Sequence, residues 1–268
     1  MSLLADLTAG SVQDAQARQA ERPIEQVERD ALAQAPALDA LAALAPAERI
    51  RIIAEVKRAS PSRGDLASIP DPAHQAGLYE RGGASAISVL TEQRRFKGSL
   101  DDLVDVKRQV SLPVLRKDFI ATPYQVLEAR AAGADIVLLI VAALEQPLLA
   151  ELYELVLQLG MTPLVEAHSA DEVARAADLG ARLIGVNARD LSTFELDRDL
   201  FGRLAGRIPT DAIKVAESAV LEPADVAHYR AAGADAVLIG EALVTGDPVA
   251  ALSAFLDAGS FQPEEATA

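Results

Sequence analysis

EARAAGADIVLLIV, Glu128–Val141, changes period half-way along. It is alanine-rich up to Ala132, passes through Gly133, which suits the left-handed position just past a helix end, and continues after Ala134 as a β-branched apolar run. The same pattern recurs as YERGGASAISVLTE at Tyr79–Glu92, AADLGARLIGVNAR at Ala176–Arg189 and YRAAGADAVLIGEAL at Tyr229–Leu243. Each is the end of a helix running into a strand. Further strand-like runs lie at Ile50–Val56, Leu112–Leu115, Met161–Val165 and Ile213–Ala216. Together these make eight strands spaced by roughly 20 to 35 residues, each gap holding one helix, as βα repeats require.

Near-continuous apolar strands separated by helices predict a parallel sheet buried on both faces. Eight such units in about 250 residues predict an α/β fold of the (β/α)8 TIM-barrel type. A doubly wound sheet is the alternative, but it usually has fewer units and lacks this even repetition. Residues 1–48 precede the first strand and are rich in Ala, Leu, Glu and Gln, which predicts one or two extra helices packed across the barrel. No linker or low-complexity tract sets them apart, so residues 1–268 read as a single domain with an N-terminal helical extension.

The chain has no cysteine, which excludes disulfides, thiolate metal sites and cysteine nucleophiles. The N-terminus lacks a basic region followed by an apolar stretch and a small-residue cleavage site, which argues against a signal peptide. The longest apolar run, Ile136–Leu144, is too short to span a bilayer. These features predict a cytoplasmic protein. The net charge of −15 disfavours nucleic acid or an anionic membrane surface as partner. It does not disfavour a small anionic substrate, because a few cations in one cleft can outweigh a diffuse acidic surface. An acidic surface without an obvious apolar stripe points to a monomer. Only Lys57, Lys97, Lys107, Lys117 and Lys214 are lysines in a chain that otherwise prefers arginine. Lysine can give up its proton and arginine cannot, so a retained lysine at a strand end invites a chemical reading.

In such a barrel the site lies at the C-terminal ends of the strands, and period-two alternation gives the inward residues. The first strand offers Ile53, Glu55 and Lys57, the third Leu115, Lys117 and Phe119, and the fifth Leu164, Glu166 and His168. The sixth offers Gly185, Asn187 and Arg189, the seventh Val215 and Glu217, and the eighth ends in Ile239-Gly240-Glu241. Ionisable groups thus converge as Glu55, Lys57, Lys117, Glu166, Arg189 and Glu217. An ion-pair ring sealing the barrel mouth could account for any one of them, but charges are rarely buried without partners, and six together indicate a catalytic pocket. Clustered acids and ammonium groups, partly desolvated, have coupled pKa values suited to acid and base steps near neutral pH. A phosphate seat is expected at the turn Glu217-Ser218-Ala219 and at Gly240-Glu241, where barrels often bind phosphate through backbone N–H groups.

IIAEVKRASPSRG (Ile52–Gly64), LTEQRRFKGS (Leu90–Ser99), PVLRKDF (Pro113–Phe119), LVEAH (Leu164–His168), VNARDL (Val186–Leu191) and VAES (Val215–Ser218) resemble, in order, the motifs of the indole-3-glycerol-phosphate synthase family. That family comprises (β/α)8 lyases of tryptophan biosynthesis, also with helices before the barrel. The resemblance implies a phosphorylated substrate, 1-(2-carboxyphenylamino)-1-deoxyribulose 5-phosphate, closed to an indole with loss of CO2 and water, and no metal or organic cofactor. It places the general acid for ring closure on Lys117 and the general base for dehydration on Glu166. It makes Glu55 and Lys57 the acidic and basic pair of the first strand, Lys57 also binding a substrate anion. Asn187, Arg189, Ser60, Glu217 and Ser218 match the polar substrate contacts, and Phe96 and Phe119 the apolar walls around the anthranilate ring. An aromatic wall buries a flat ring and lowers the dielectric around the carboxylate that must leave.

One position departs from the family pattern: Ala219 stands where a glycine is usual. A positive φ there would cost alanine about 1 kcal/mol, and the expected consequence is weaker phosphate binding. Two other readings remain. Phosphoribosylanthranilate isomerases share the phosphate seat but rely on a cysteine base, absent here. A catalytically silent phosphate-binding barrel serving as a scaffold would show erosion at Lys117, Glu166 or Glu55, and none is seen.

Overall fold

The computed structural model describes residues 2–61, 63–190 and 195–260; Ser62 and Leu191, quoted above within motifs, lie outside the described residues. Three helices come first: α1 (Leu3–Glu21), α2 (Ile24–Leu32) and α3 (Ala40–Leu44). The strand β1 (Arg51–Val56) leads into a small hairpin of β2 (Ala59–Ser60) and β3 (Gly64–Asp65). Then α4 (Pro72–Arg81), β4 (Ala86–Leu90), α5 (Leu100–Gln109), β5 (Val114–Lys117), α6 (Pro123–Ala131) and β6 (Ile136–Ile140) alternate. They are followed by α7 (Gln146–Gln158), β7 (Thr162–Ala167), α8 (Ala170–Asp178), β8 (Leu183–Asn187), α9 (Leu200–Ala205), β9 (Ile213–Glu217), α10 (Pro223–Ala231) and β10 (Ala236–Ile239). The helices α11 (Glu241–Val244) and α12 (Pro248–Ala258) complete the described chain. The strands β1, β4, β5, β6, β7, β8, β9 and β10 pair in parallel and close on themselves through β1 and β10, which makes the (β/α)8 barrel.

The repeated glycines carry the turn that makes this succession possible. Gly83, Gly133, Gly180 and Gly233 take φ of 93°, 92°, 71° and 93°. At all four the following alanine donates back five residues, Ala84 N to Tyr79 O at 3.0 Å, Ala134 N to Ala129 O at 2.9 Å, Ala181 N to Ala176 O at 3.3 Å and Ala234 N to Tyr229 O at 3.0 Å. At the helix starts, Ser99, Thr122 and Ser169 accept from the backbone N–H three residues on, and Pro72, Pro123, Pro223 and Pro248 occupy first-turn positions.

Alternation splits the apolar residues into two shells. Ile53, Leu115, Leu138, Leu164, Val215 and Leu238 fill the barrel interior, while Val89, Val137, Val165, Val186 and Ala216 face the helices. Expected strand ends fell short wherever a run of apolar residues met a charge. The strand β5 begins after Pro113, whose missing N–H cannot join the ladder, and runs through Arg116 to Lys117; β9 likewise includes Glu217. The hydrogen-bond ladder follows the backbone and not side-chain polarity.

The N-terminal extension differs from expectation: it has three helices, and they run from one end of the barrel to the other instead of only across it. Leu4 and Leu7 of α1 join the cluster containing Phe119. Val27 and Ala31 of α2 pack with Tyr124 and Leu127 of α6. Ala40 and Leu44 of α3 enter the inner cluster beside Ile136 and Ala236, the first residues of their strands, and so close the opposite end. The repeat motif itself fastens this segment, through Leu38 N to Asp135 Oδ1 at 2.8 Å and Arg230 Nη2 to Ala47 O at 2.7 Å.

Candidate active site

At the C-terminal ends of the barrel strands lies a cavity of about 450 Å³. Glu55, Lys57, Ser60, Phe96, Lys117, Phe119, Glu166, Asn187, Arg189, Glu217, Ser218, Ala219, Gly240 and Glu241 all line it. Every residue given a catalytic, substrate or phosphate role from the sequence is therefore brought to one chamber. They do not form one ring of charges, however, but three groups.

The deepest group is built on β5, β7 and β9. Alternation turns Lys117 inward, and its Nζ stands 3.0 Å from Glu166 Oε2 and 3.4 Å from Glu217 Oε2. Both carboxyls are buried, and Gly185 on the intervening strand β8 makes room for one of them: a Cβ there would lie 2.1 Å from Glu217 Oε1. Burial opposes charge on Lys117, yet the Glu166, Glu217 and Glu55 carboxylates outweigh it and hold its pKa above the ordinary lysine value. Burial likewise opposes charge on Glu166, but Lys117 first and His168 next hold its pKa below the usual carboxylate range. Glu217 goes the other way: burial, then the Glu166 charge, pushes its pKa well above that range. Of the two coupled carboxyls, Glu166 is thus the one that favours the negative charge beside the Lys117 ammonium, and Glu217 the one that favours the proton. Glu166 Oε1 and both Glu217 oxygens are buried without a hydrogen-bond partner among the described residues, as expected of groups placed for chemistry rather than for packing.

The second group belongs to β1. Glu55 Oε1 lies 3.3 Å from Lys57 Nζ, and Glu55 Oε2 accepts from Ser88 Oγ at 3.3 Å. A Cβ on Gly240 would come within 2.7 Å of Glu55 Oε1, so this glycine makes space for the carboxylate as well as leading into α11. Lys57 Nζ also stands 6.0 Å from the centre of the Phe96 ring, whose own centre is 6.1 Å from that of Phe119. Two aromatic rings and a cation bound one side of the chamber, and Leu138, Ile140 and Leu238 line it too.

The third group gathers where β8, β9 and β10 end. Asn187 Oδ1 accepts from Ser218 Oγ at 2.7 Å and from Arg189 N at 3.0 Å. Ser218 and Ala219 have φ of 68° and 55°, so the position expected to hold glycine does lie in the left-handed region, at a cost of about 1 kcal/mol for the alanine. Arg63 Nη2 reaches Glu241 Oε1 at 2.8 Å, tying the β2–β3 hairpin to the start of α11. Burial lowers the Arg189 pKa, the Glu241 charge opposes this, and the Arg63 charge adds to it; an arginine nevertheless keeps its charge.

Sequence reasoning missed Arg63, Ser88 and Leu7 as lining or supporting residues. Ser88 was recoverable by extending alternation to the second barrel strand. Arg63 and Leu7 lie in a loop and in α1, where no period points to the barrel mouth. His168 shares the face of Glu166 by alternation but does not line the cavity; its Nε2 stands 3.4 Å from Glu166 Oε1.

No helix among the described residues is long and apolar enough to cross a membrane. The sequence model of the indole-3-glycerol phosphate synthase family matches residues 4–254. A relative of that description from Leifsonia xyli subsp. xyli is 73% identical over 255 residues, covering 95% of this chain and 98% of its own. Another from Beutenbergia cavernae is 55% identical over 261 residues, covering 97% of each chain. Among solved structures, thiamine phosphate pyrophosphorylase from Pyrococcus furiosus superposes with a TM-score of 0.58 at 13% identity, covering 79% of this chain and 95% of its own. N-acetylmannosamine-6-phosphate 2-epimerase from Clostridium perfringens superposes with a TM-score of 0.56 at 16% identity, covering 73% and 87%. At such identities the structures support the fold alone.

Proposed function

Since the chain belongs to the indole-3-glycerol phosphate synthase family, we propose that Lys117 and Glu166 are the acid and base of its reaction. That reaction, a step of tryptophan biosynthesis, closes 1-(2-carboxyphenylamino)-1-deoxyribulose 5-phosphate to indole-3-glycerol phosphate, with release of CO2 and water. The observation that carries the assignment is the Lys117 ammonium 3.0 Å from Glu166, in a chamber walled by Phe96 and Phe119.

In the first step the ring carbon bearing the carboxylate attacks the ketone carbon, and Lys117 gives its proton to the ketone oxygen. The electron pair of the departing carboxylate then restores aromaticity as CO2 leaves, which the apolar walls favour by withdrawing water from the carboxylate. In the last step Glu166 takes a proton from the carbon next to nitrogen as the new hydroxyl, protonated by an ammonium, leaves as water. Because Glu166 and Lys117 are hydrogen-bonded, a proton gained by one can replace a proton lost by the other; one further proton per turnover comes from solvent. Lys57, held beside Glu55, supplies a second ammonium and binds substrate anion.

Asn187, Arg189, Ser60, Glu217 and Ser218 are read as polar substrate contacts, and the backbone of Ser218-Ala219 and Gly240-Glu241, with Lys57, as the phosphate seat. Phe96 and Phe119, tilted against each other, are read as the apolar walls that hold the anthranilate ring. Residues 1–268 are read as one domain, cytoplasmic and monomeric, with no nucleic-acid or membrane partner; the acidic net charge supports the last of these readings.

The test is fluorescence detection of indole formation from the carboxyphenylamino-deoxyribulose phosphate, with EDTA present. A rise with the unaltered chain that vanishes in Lys117→Met, substrate affinity staying within about tenfold, supports the acid role. Near-normal turnover in that variant removes it.

A further inference from the structure

The site reading leaves His168 without a task, although its ring is packed against the proposed base. Glu172, in the first turn of α8, fixes the residue twice: its Oε2 accepts from His168 N at 2.8 Å and stands 3.3 Å from Nδ1. Glu172 is itself fixed, with Ser169 Oγ donating to its Oε1 at 3.2 Å and its own N–H donating to Ser169 Oγ at 3.2 Å. With Nδ1 committed to Glu172, Nε2 is the atom turned to Glu166 Oε1, at 3.4 Å. The other oxygen of the same carboxylate, Oε2, meets Lys117 at 3.0 Å. Each Glu166 oxygen therefore faces a different nitrogen, one inside the chamber and one outside it.

We propose that His168, oriented by Glu172, is a positioning residue for Glu166: facing Oε1 across 3.4 Å as a charge partner and not as a hydrogen-bond donor, it holds that oxygen toward itself, leaves Oε2 toward the reacting atoms, and supplies a positive charge that favours the ionised carboxylate. The inference rests on the reading of Glu166 as base. The charged groups facing the imidazole are Glu166 on β7, Glu172 on α8 and Lys117 on β5. Burial opposes its charge and so does Lys117, but the Glu172 hydrogen bond and the two carboxylates prevail, and the His168 pKa is raised. The same arrangement serves in many enzymes to fix an imidazole by a carboxylate behind it. Here the imidazole in turn fixes a second carboxylate.

Two readouts test this on the full chain. The first is the His168 titration followed by its imidazole C2–H resonance, assigned against His74 and His228 by its loss in His168→Gln. Coupling predicts that Glu166→Gln lowers the His168 pKa by about one unit, and that Glu172→Gln lowers it as well. The second is the split between kcat and KM. His168→Leu is expected to lower kcat by about tenfold to hundredfold with KM within about threefold, and His168→Gln, which keeps a polar side chain, to recover part of the loss. A His168 pKa unmoved by Glu166→Gln overturns the proposal, as does a kcat for His168→Leu within about twofold of the unaltered chain. Should His168→Leu not fold, an unchanged kcat in Glu172→Gln overturns it equally. Full turnover in Glu166→Gln would instead remove the base assignment on which the proposal rests.

Discussion

Gly185 touches no substrate in this account, yet Gly185→Ala should disable the enzyme. The added Cβ would lie 2.1 Å from Glu217 Oε1 and 3.2 Å from its Cδ, whereas Leu164 Cδ1, at 3.4 Å, is in ordinary contact. Non-bonded heavy atoms settle near about 3.5 Å, so the carboxyl must retreat by roughly 1 Å. It has nowhere neutral to go, since Glu166 and Lys117 are packed against it. A displacement of about 1 Å in a catalytic constellation can cost on the order of a hundredfold in rate, equivalent to about 2.7 kcal/mol. The strain on the fold should be about 1–3 kcal/mol, as for other overpacked interiors. Steady-state indole formation measures the first quantity and urea unfolding the second. Gly206→Ala, where the new Cβ meets nothing within 4 Å, is the control and should leave kcat unchanged. A folded Gly185→Ala enzyme with the kcat of the unaltered chain would refute the reasoning, because Glu217 would then be free to move without consequence.

Ala219→Gly relieves a left-handed alanine (φ 55°) and removes a methyl from the phosphate side; inorganic phosphate, measured calorimetrically, should bind up to about fivefold more tightly, and unchanged or weaker binding would show the alanine to be harmless. Arg116 is fully buried between Asp118 Oδ2 at 3.1 Å and Glu128 Oε2 at 3.3 Å, so Arg116→Met leaves Asp118 to its neutral donors Ser11, Thr91 and Phe119 N and Glu128 to Arg18, and should lower stability by about 3 kcal/mol in urea unfolding. The raised pKa of Glu217 means that the folded chain keeps a proton that the unfolded chain has released, so its contribution to stability is full below the ordinary carboxylate pKa and is lost as pH rises toward its folded value. Glu217→Gln should therefore raise the melting temperature more at pH 8 than at pH 4 while lowering turnover; an equal change at both pH values would contradict that sign.

The barrel was legible because its signal is repeated. The GA pair that ends α4, α6, α8 and α10, as at Gly133-Ala134, encodes a backbone conformation only glycine adopts cheaply, and the strand after it is long enough to show a period. The site was legible for the same reason, since alternation carries Glu55, Lys117, Glu166 and Glu217 inward whatever their chemistry. What escaped was either too short or stated in the wrong residue. Two-residue strands such as Ala59–Ser60 have no period to read. The left-handed turn at Ala219 has no glycine to announce it, and only the family resemblance, in which glycine is usual there, raises it. The buried ion pairs of Arg116 look, in sequence, like a solvated charge next to Lys117; only packing by α1 and α6, through Ser11 to Asp118 at 2.9 Å and Arg18 to Glu128, shows otherwise. The course of α1–α3 was unreadable because helices that wrap a finished barrel answer to its surface, not to a repeat of their own.

The division of labour between Lys117 and Glu166 is tested most directly by following CO2 and indole separately in a single turnover, with Lys117→Met and Glu166→Gln beside the unaltered chain. The acid acts before CO2 leaves and the base after it. Lys117→Met should therefore release neither product, whereas Glu166→Gln should release CO2 and form no indole. CO2 release from Lys117→Met, or indole from Glu166→Gln at the rate of the unaltered chain, would contradict the account.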